Sequence, residues 1–195
     1  MNFKRMIAAG VFIGFGVIIN TVAPNPILGA ALFSLGLLGI IHLKLPLYTG
    51  QVGFKPNPAF LIPCLFFNWI GTCIVCLLYS FSNNSFFENL QEAAESKWSQ
   101  TAAHFFIGGI LCGALIHIAA KCKNQIIIIL VIMVFILSKM EHCIADIPYV
   151  FALDESNQTM AMIKCCIVVI GNSIGALLIE YLIGDTNAIT RIKNE

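Results

Sequence analysis

Charge is scarce in this chain. Only 11% of its 195 residues are Asp, Glu, Lys or Arg, where a soluble domain carries roughly a quarter. That scarcity leaves no room for a sizeable solvated module. Acids and bases nearly cancel, at net +1, so there is no basic surplus with which to hold nucleic acid. Metal-ligand spacing is missing as well. The eight cysteines include Cys73-x-x-Cys76 and the adjacent Cys165 and Cys166, but no histidine or further cysteine stands at zinc spacing beside either pair. Such cysteines behave as small hydrophobes, and neither a metal nor another cofactor is expected. There is no HExxH. The neighbouring Glu141, His142 and Cys143 do not form a nucleophile and its base, because adjacent helical side chains diverge by about 100°. An intramembrane enzyme has little support.

What fills the chain instead is hydrocarbon. Hydrophobic residues make up 58% of it, in five or six runs long enough to cross a bilayer, which takes about 20 residues per helix. Spans are expected at about 7–23, 27–45, 58–81, 103–120, 126–153 and 162–184, within one transmembrane domain covering 1–195. Lys4, Arg5 and the apolar run to Ala23 imitate a signal peptide, but the run is too long and Pro24 follows at once. It reads as the first span. Residues 83–100 are polar, acidic and partly helix-periodic, and are expected at a membrane surface.

Positive residues orient the molecule. With six spans, Lys4, Arg5, Lys55, Lys121, Lys123, Arg191 and Lys193 fall on one side, which the positive-inside rule makes cytoplasmic. Both termini are then cytoplasmic in a multi-pass protein of the cell membrane. The opposite side holds Glu88, Glu92, Glu95, Asp154 and Glu155, with Lys97 against them.

Two spans are interrupted. "HLKLPLYTGQVGF" inserts Lys44, Pro46, Thr49, Gly50 and Gly53 near the end of the second, and "SKMEHCIADIPYV" puts Lys139, Glu141, His142 and Asp146 into the fifth. Such groups survive at membrane depth where the backbone is buried in protein or lines a cavity. One break per half points to an inverted repeat with a permeation site between the halves. Faint traces agree: "FIG" at Phe12 and Phe106, the pairs Lys44/Lys139 and Tyr48/His142, and Asn-x-x-Gly at Asn68 and Asn172.

"GAALFSLGLL", "LYTG", "GGILCG", "MEHCIAD" and "IGNSIGALL" follow in the order and spacing of the formate/nitrite transporter family, which the chain resembles over nearly its whole length. That family shows Phe-Ser-x-Gly-Leu, Leu-Phe-Thr-Gly, Gly-Ile-Leu-Cys-Asn, Phe-Glu-His-Ser-x-Ala-Asn and Gly-Asn-x-x-Gly. The resemblance implies an all-α membrane protein. Its protomer would be aquaporin-like, with six helices in two inverted three-helix repeats and two helices broken. It would assemble as a homopentamer with one pore per protomer, passing small monovalent anions of weak acids such as formate, nitrite or hydrosulfide, as a channel or a proton-linked transporter. Phe33 and Phe135 match the family's constriction phenylalanines. Leu47, Tyr48 and Thr49 match its loop in the broken second span, His142 its pore histidine, with Glu141 beside it, and Asn172 its sixth-span motif.

The departures cluster at the breaks. Tyr48 replaces Phe, Pro46 stands where an acid is common, and Lys44 and Lys139 replace small residues, usually Gly. Gly113 and Asp146 stand in place of Asn. Asp146 and Tyr48 leave open a pore for a neutral or cationic species such as water or ammonia.

The chemistry suits a weak acid. Protonating a carboxylate of pKa near 4 at pH 7 costs about 4 kcal/mol, comparable with carrying a bare anion through an apolar neck. An imidazole is a suitable donor or relay. Glu141 either anchors the broken backbone or carries a proton, and Thr49 offers a pore hydroxyl or a helix cap. Asn172 is expected to satisfy freed backbone groups. Lys44 and Lys139 either draw anions into vestibules, snorkel to a surface, or pair with Glu141 or Asp146. His42 and His117 read as interhelical polar groups.

Overall fold

Asparagine starts five of the described helices. The computed structural model describes residues 2–54, 57–122 and 124–183, and these fold into α1 (Phe3–Val22), α2 (Pro26–His42), α3 (Tyr48–Gln51), α4 (Pro58–Ser82), α5 (Asn84–Trp98), α6 (Ala102–Cys122), α7 (Gln125–Leu137), α8 (Ile147–Phe151) and α9 (Glu155–Ile183). Asn2, Asn25, Asn57, Asn83 and Asn124 each accept a backbone N–H of the turn that follows, which satisfies a donor that the helix itself leaves unpaired. Pro26 and Pro58 follow two of these caps, where a missing N–H costs nothing. Of the residues used to orient the chain, Lys55, Lys123, Arg191 and Lys193 lie outside the described residues.

Among the described residues, four helices, α1, α4, α6 and α9, are long and apolar enough to cross a membrane. The second and fifth expected spans are each divided. The 17 residues of α2 are followed by a connector and the single turn of α3; the 13 residues of α7 are followed by a longer connector and α8. Most of residues 83–100 form α5 (Asn84–Trp98), whose Phe86, Leu90, Ala94 and Trp98 are buried at four-residue spacing, the stripe of an amphipathic helix. Outward faces of the other helices carry exposed Leu35, Ile62, Leu78, Phe81, Ile126 and Leu182, so the described surface is apolar where a soluble protein's would be charged.

Glycines let the long helices touch in pairs. A Cβ on Gly10 would overlap the Asn68 carbonyl and one on Gly71 the Ile7 carbonyl, locking α1 to α4; Gly113 and Gly175 bring α6 and α9 together through Asn172 and Ile110 in the same way. This is the reason for glycine at 113, where the resembled family has asparagine: a side chain there would collide with the backbone of α9.

The two interrupted helices also end alike. Lys44 N–H donates to the Ile41 carbonyl and Leu45 N–H to Ile40; Lys139 N–H donates to Ile136 and Met140 N–H to Phe135. Each pair is a complete Schellman ending, and the lysine at its hinge has positive φ, 54° and 51°. The structure therefore gives Lys44 the local geometry of Lys139, Asn68 the kind of contacts that Asn172 makes and Gly10 the kind that Gly113 makes. It does not equate the two "FIG" segments, nor Tyr48 with His142: by its hydrogen bonding to the equivalent asparagine, the counterpart of Tyr48 is Cys143. Three-letter identity misled there because helices of unequal length and the extra α5 shift the spacing from one helix pair to the next.

Candidate functional site

A broken helix must place its freed backbone groups somewhere, and in each break an asparagine takes one N–H and one carbonyl. In the first break, Asn68 Oδ1 accepts from Tyr48 N–H at 2.8 Å while its amide donates to the carbonyls of Pro46 at 3.1 Å and Met6 at 2.8 Å. In the second, Asn172 Oδ1 accepts from Cys143 N–H at 3.0 Å while its amide donates to Glu141 at 2.9 Å and Gly109 at 2.8 Å. The residues after each asparagine cross to the other half. Trp69 Nε1–H donates to the Cys143 carbonyl at 2.8 Å, and Ser173 Oγ lies 2.8 Å from the Tyr48 hydroxyl. Since Ser173 donates to the Val169 carbonyl, its oxygen is left to accept from Tyr48. The phenol that distinguishes this chain is thus tied down against α9. Arg5 caps the first break from below, donating to the carbonyls of Leu43 and Lys44 at 2.7 and 3.0 Å.

Where the breaks meet, Thr49 Oγ1 and His142 Nε2 are 3.0 Å apart, and both residues are buried. The tautomer follows from the other ring nitrogen. His142 Nδ1 accepts from Ala145 N–H at 3.1 Å, so the proton is on Nε2 and donates to Thr49, whose own hydroxyl hydrogen is free. A second proton on the ring would cost the Ala145 bond. The imidazole is built here as a donor, and the relay expected from sequence requires that bond to open.

Cavities lie against the two breaks. One of about 420 Å³ is lined by Phe33, Phe135, Lys139, Glu141, Asp146 and Lys97 among others. Another of about 340 Å³ is lined by Leu37, Lys44, Leu47, Gln51 and Phe54 among others. Phe33 and Phe135 meet edge to face with ring centroids 5.7 Å apart, and the Phe135 ring is 5.9 Å from that of His142. Thr49 and His142 line neither cavity. Lys44 and Lys139 therefore border different cavities. Neither forms an ion pair with Glu141 or Asp146.

That pairing falls to Lys97, which sequence reasoning had placed at the membrane surface as the lone cation of an acidic side. From the last turn of α5 its ammonium reaches Glu141 Oε2 and, at 3.1 Å, Asp146 Oδ1. Burial works against the charge, but Asp146 and Glu141 outweigh it and hold Lys97 above its ordinary value. His104 Nε2 lies 3.1 Å from Glu141 Oε1. A signal was present: four-residue spacing put Phe86, Leu90, Ala94 and Trp98 on the buried face, and Lys97 adjoins it. His42 is satisfied by the Leu38 carbonyl and Gln125, whereas His117 meets Glu180 at 2.7 Å through Nε2 and leaves its Nδ1 buried without a partner.

The family model for "Formate/nitrite transporter" matches residues 2–184. The chain belongs to the formate/nitrite transporter family. Among solved structures, an "FNT family ion channel" is 21% identical with a TM-score of 0.79, covering 90% of this chain and 85% of that one. A "Pentameric formate channel with formate bound" is 20% identical with a TM-score of 0.76, covering 97% and 96%. No curated protein matches. Membership of the formate/nitrite transporter family makes the chain a multi-pass membrane protein that moves small anions, and the two likenesses show that its helices share the fold of those channels.

Proposed function

We propose that each chain is a six-span protomer of two inverted three-helix halves, covering 1–195 as one domain. It assembles as a homopentamer in the cell membrane with both termini cytoplasmic. Its pore runs from the Lys139 cavity past Phe33 and Phe135, between Thr49 and His142, past Leu47 and Tyr48 to the Lys44 cavity. The matched Schellman endings and the matched asparagines support the repeat. The likeness to a channel described as pentameric supports the assembly.

The cargo is a small monovalent anion of a weak acid, of the formate, nitrite or hydrosulfide kind. The observation that carries this reading is the Thr49–His142 pair, the polar contact held between the cavities beside an aromatic neck. A hydrated cation loses its water at such a neck with no acceptor ring to replace it, whereas a small weak acid finds an N–H and a hydroxyl. Asn172 and Glu141 hold the backbone that presents His142; Lys44 and Lys139 raise anion concentration at the mouths.

Flux into liposomes holding the purified protein tests it, with formate, nitrite, hydrosulfide and chloride compared at acidic and neutral pH. The weak-acid anions should enter, faster on the acidic side, with chloride well behind. Entry of water or ammonia without any of the anions would overturn the reading.

A further inference from the structure

One buried oxygen in the wall of the Lys139 cavity has nothing bonded to it. Asp146 is 4% exposed. Its Oδ1 faces Lys97 Nζ at 3.1 Å, while its Oδ2 is buried without a hydrogen-bond partner. Glu141, on the same ammonium, has both oxygens engaged, one by Lys97 and one by His104. One ammonium thus serves two carboxyl groups, and the oxygen left over belongs to a residue that lines the cavity. A buried carboxylate oxygen without a donor loses its hydration and gains nothing in return. A proton on Oδ2 reverses the situation, since the group then becomes a donor seeking an acceptor in the cavity.

The groups around Asp146 are Lys97 from α5, His104 and Cys112 from α6, Lys139, Glu141, His142 and Cys143 from the connector, Tyr149 from α8 and Cys165 from α9. With both carboxyl groups ionised, Glu141 and Asp146 cancel Lys97 and Lys139 and offer an anion no net attraction; with Asp146 protonated the lysines outnumber the one remaining carboxylate. His142 does not line this cavity, and its Nδ1 is engaged. A group that neutralises an anion before the phenylalanine neck has to line this cavity, as Asp146 does.

We propose that Asp146 is the proton donor of this pore. The inference rests on the weak-acid reading above. An oxygen of the incoming anion accepts from Asp146 Oδ2–H, and the proton passes along that bond. The carboxyl O–H bond breaks and an O–H bond forms on the substrate. The neutral acid moves on past Phe33 and Phe135, and the Asp146 carboxylate stays on Lys97 until water on the cavity side returns a proton. No electrons change hands, and each anion enters with a proton.

Asp146→Asn tests it, because the amide keeps an acceptor for Lys97 but has no proton to give. In liposomes, labelled formate uptake and internal pH are followed together. The native protein should carry a proton with each formate. The variant should lose ~100-fold or more in uptake, the lower edge of what general acid–base groups supply, while Asp146→Glu keeps a substantial part of it. Equal uptake with the same proton entry in Asp146→Asn would make Asp146 a structural partner of Lys97 and overturn the proposal. If the native protein moves no formate, nitrite or hydrosulfide, the weak-acid reading fails and takes this inference with it. Infrared difference spectra of the native protein give a second readout that does not depend on the variant assembling. Formate should remove a protonated-carboxyl band that Asp146→Glu shifts, and absence of any such band would contradict the proposal.

Discussion

Lys44 and Lys139 end two different helices with the same backbone geometry, at φ 54° and 51°, and each lines a different cavity. A left-handed residue at the end of a helix is ordinarily glycine, since a Cβ is penalised there by about 1 kcal/mol. Two lysines accept that penalty at equivalent positions, which is what a selected role at the cavity mouths would produce.

Lys44→Gly and Lys139→Gly should therefore separate stability from transport. Each should raise thermal stability in detergent, by up to about 1 kcal/mol, and lower anion flux at low ionic strength. Much of the flux difference should vanish at high salt, where the field of an exposed charge is screened. Flux that falls equally at all salt concentrations would make the lysines structural.

Asn172→Ala removes partners from the Cys143 N–H and the Glu141 carbonyl in the break, where no helix supplies replacements, and a second partner from the Gly109 carbonyl of α6. Each group left unpaired costs roughly 1–3 kcal/mol, so the variant should be among the most destabilised in the molecule. Asn68→Ala should be comparable, since it holds the same set in the other half. Thermal unfolding of the purified oligomer checks both, and a shift confined to one of them would break the proposed equivalence of the halves.

Lys97→Met leaves Glu141 and Asp146 facing each other with no ammonium between them. Breaking a buried pair in this way costs about 3–5 kcal/mol. In the native protein Lys97 is held above its usual value, so its contribution is fully present below the unfolded value of about 10.4 and is lost only as pH rises through the raised folded value. Across the acidic-to-neutral range that contribution is constant. The variant's deficit should instead shrink on acidification, as the stranded carboxylates take up protons. Unfolding temperatures of both proteins across that range would show it.

The four long apolar helices and the two interruptions were legible in sequence because apolar runs and their interruption by charge report directly on membrane depth. The connector chemistry was legible only in part. That Asn172 serves freed backbone could be argued from the type of residue; that Asn68 does the same for the first break shows only in the structure, which brings it partners 20 and 62 positions away. Lys97 was hidden for another reason. A cation on an acidic, amphipathic helix looks solvated, and only the packing of α5 against α1, α4 and α8 turns its last turn inward. The tautomer of His142 was out of reach altogether, because it depends on a three-residue turn inside the break.

The account depends most on the contact between Thr49 and His142. Uptake of labelled formate by liposomes carrying His142→Phe, measured against the native protein across the acidic-to-neutral range, tests it directly. The account predicts a loss of roughly 10-fold or more from removal of a buried donor, an intact oligomer, and partial recovery in His142→Gln, which restores an N–H. Uptake by His142→Phe at the native rate, with the native pH profile, would contradict it.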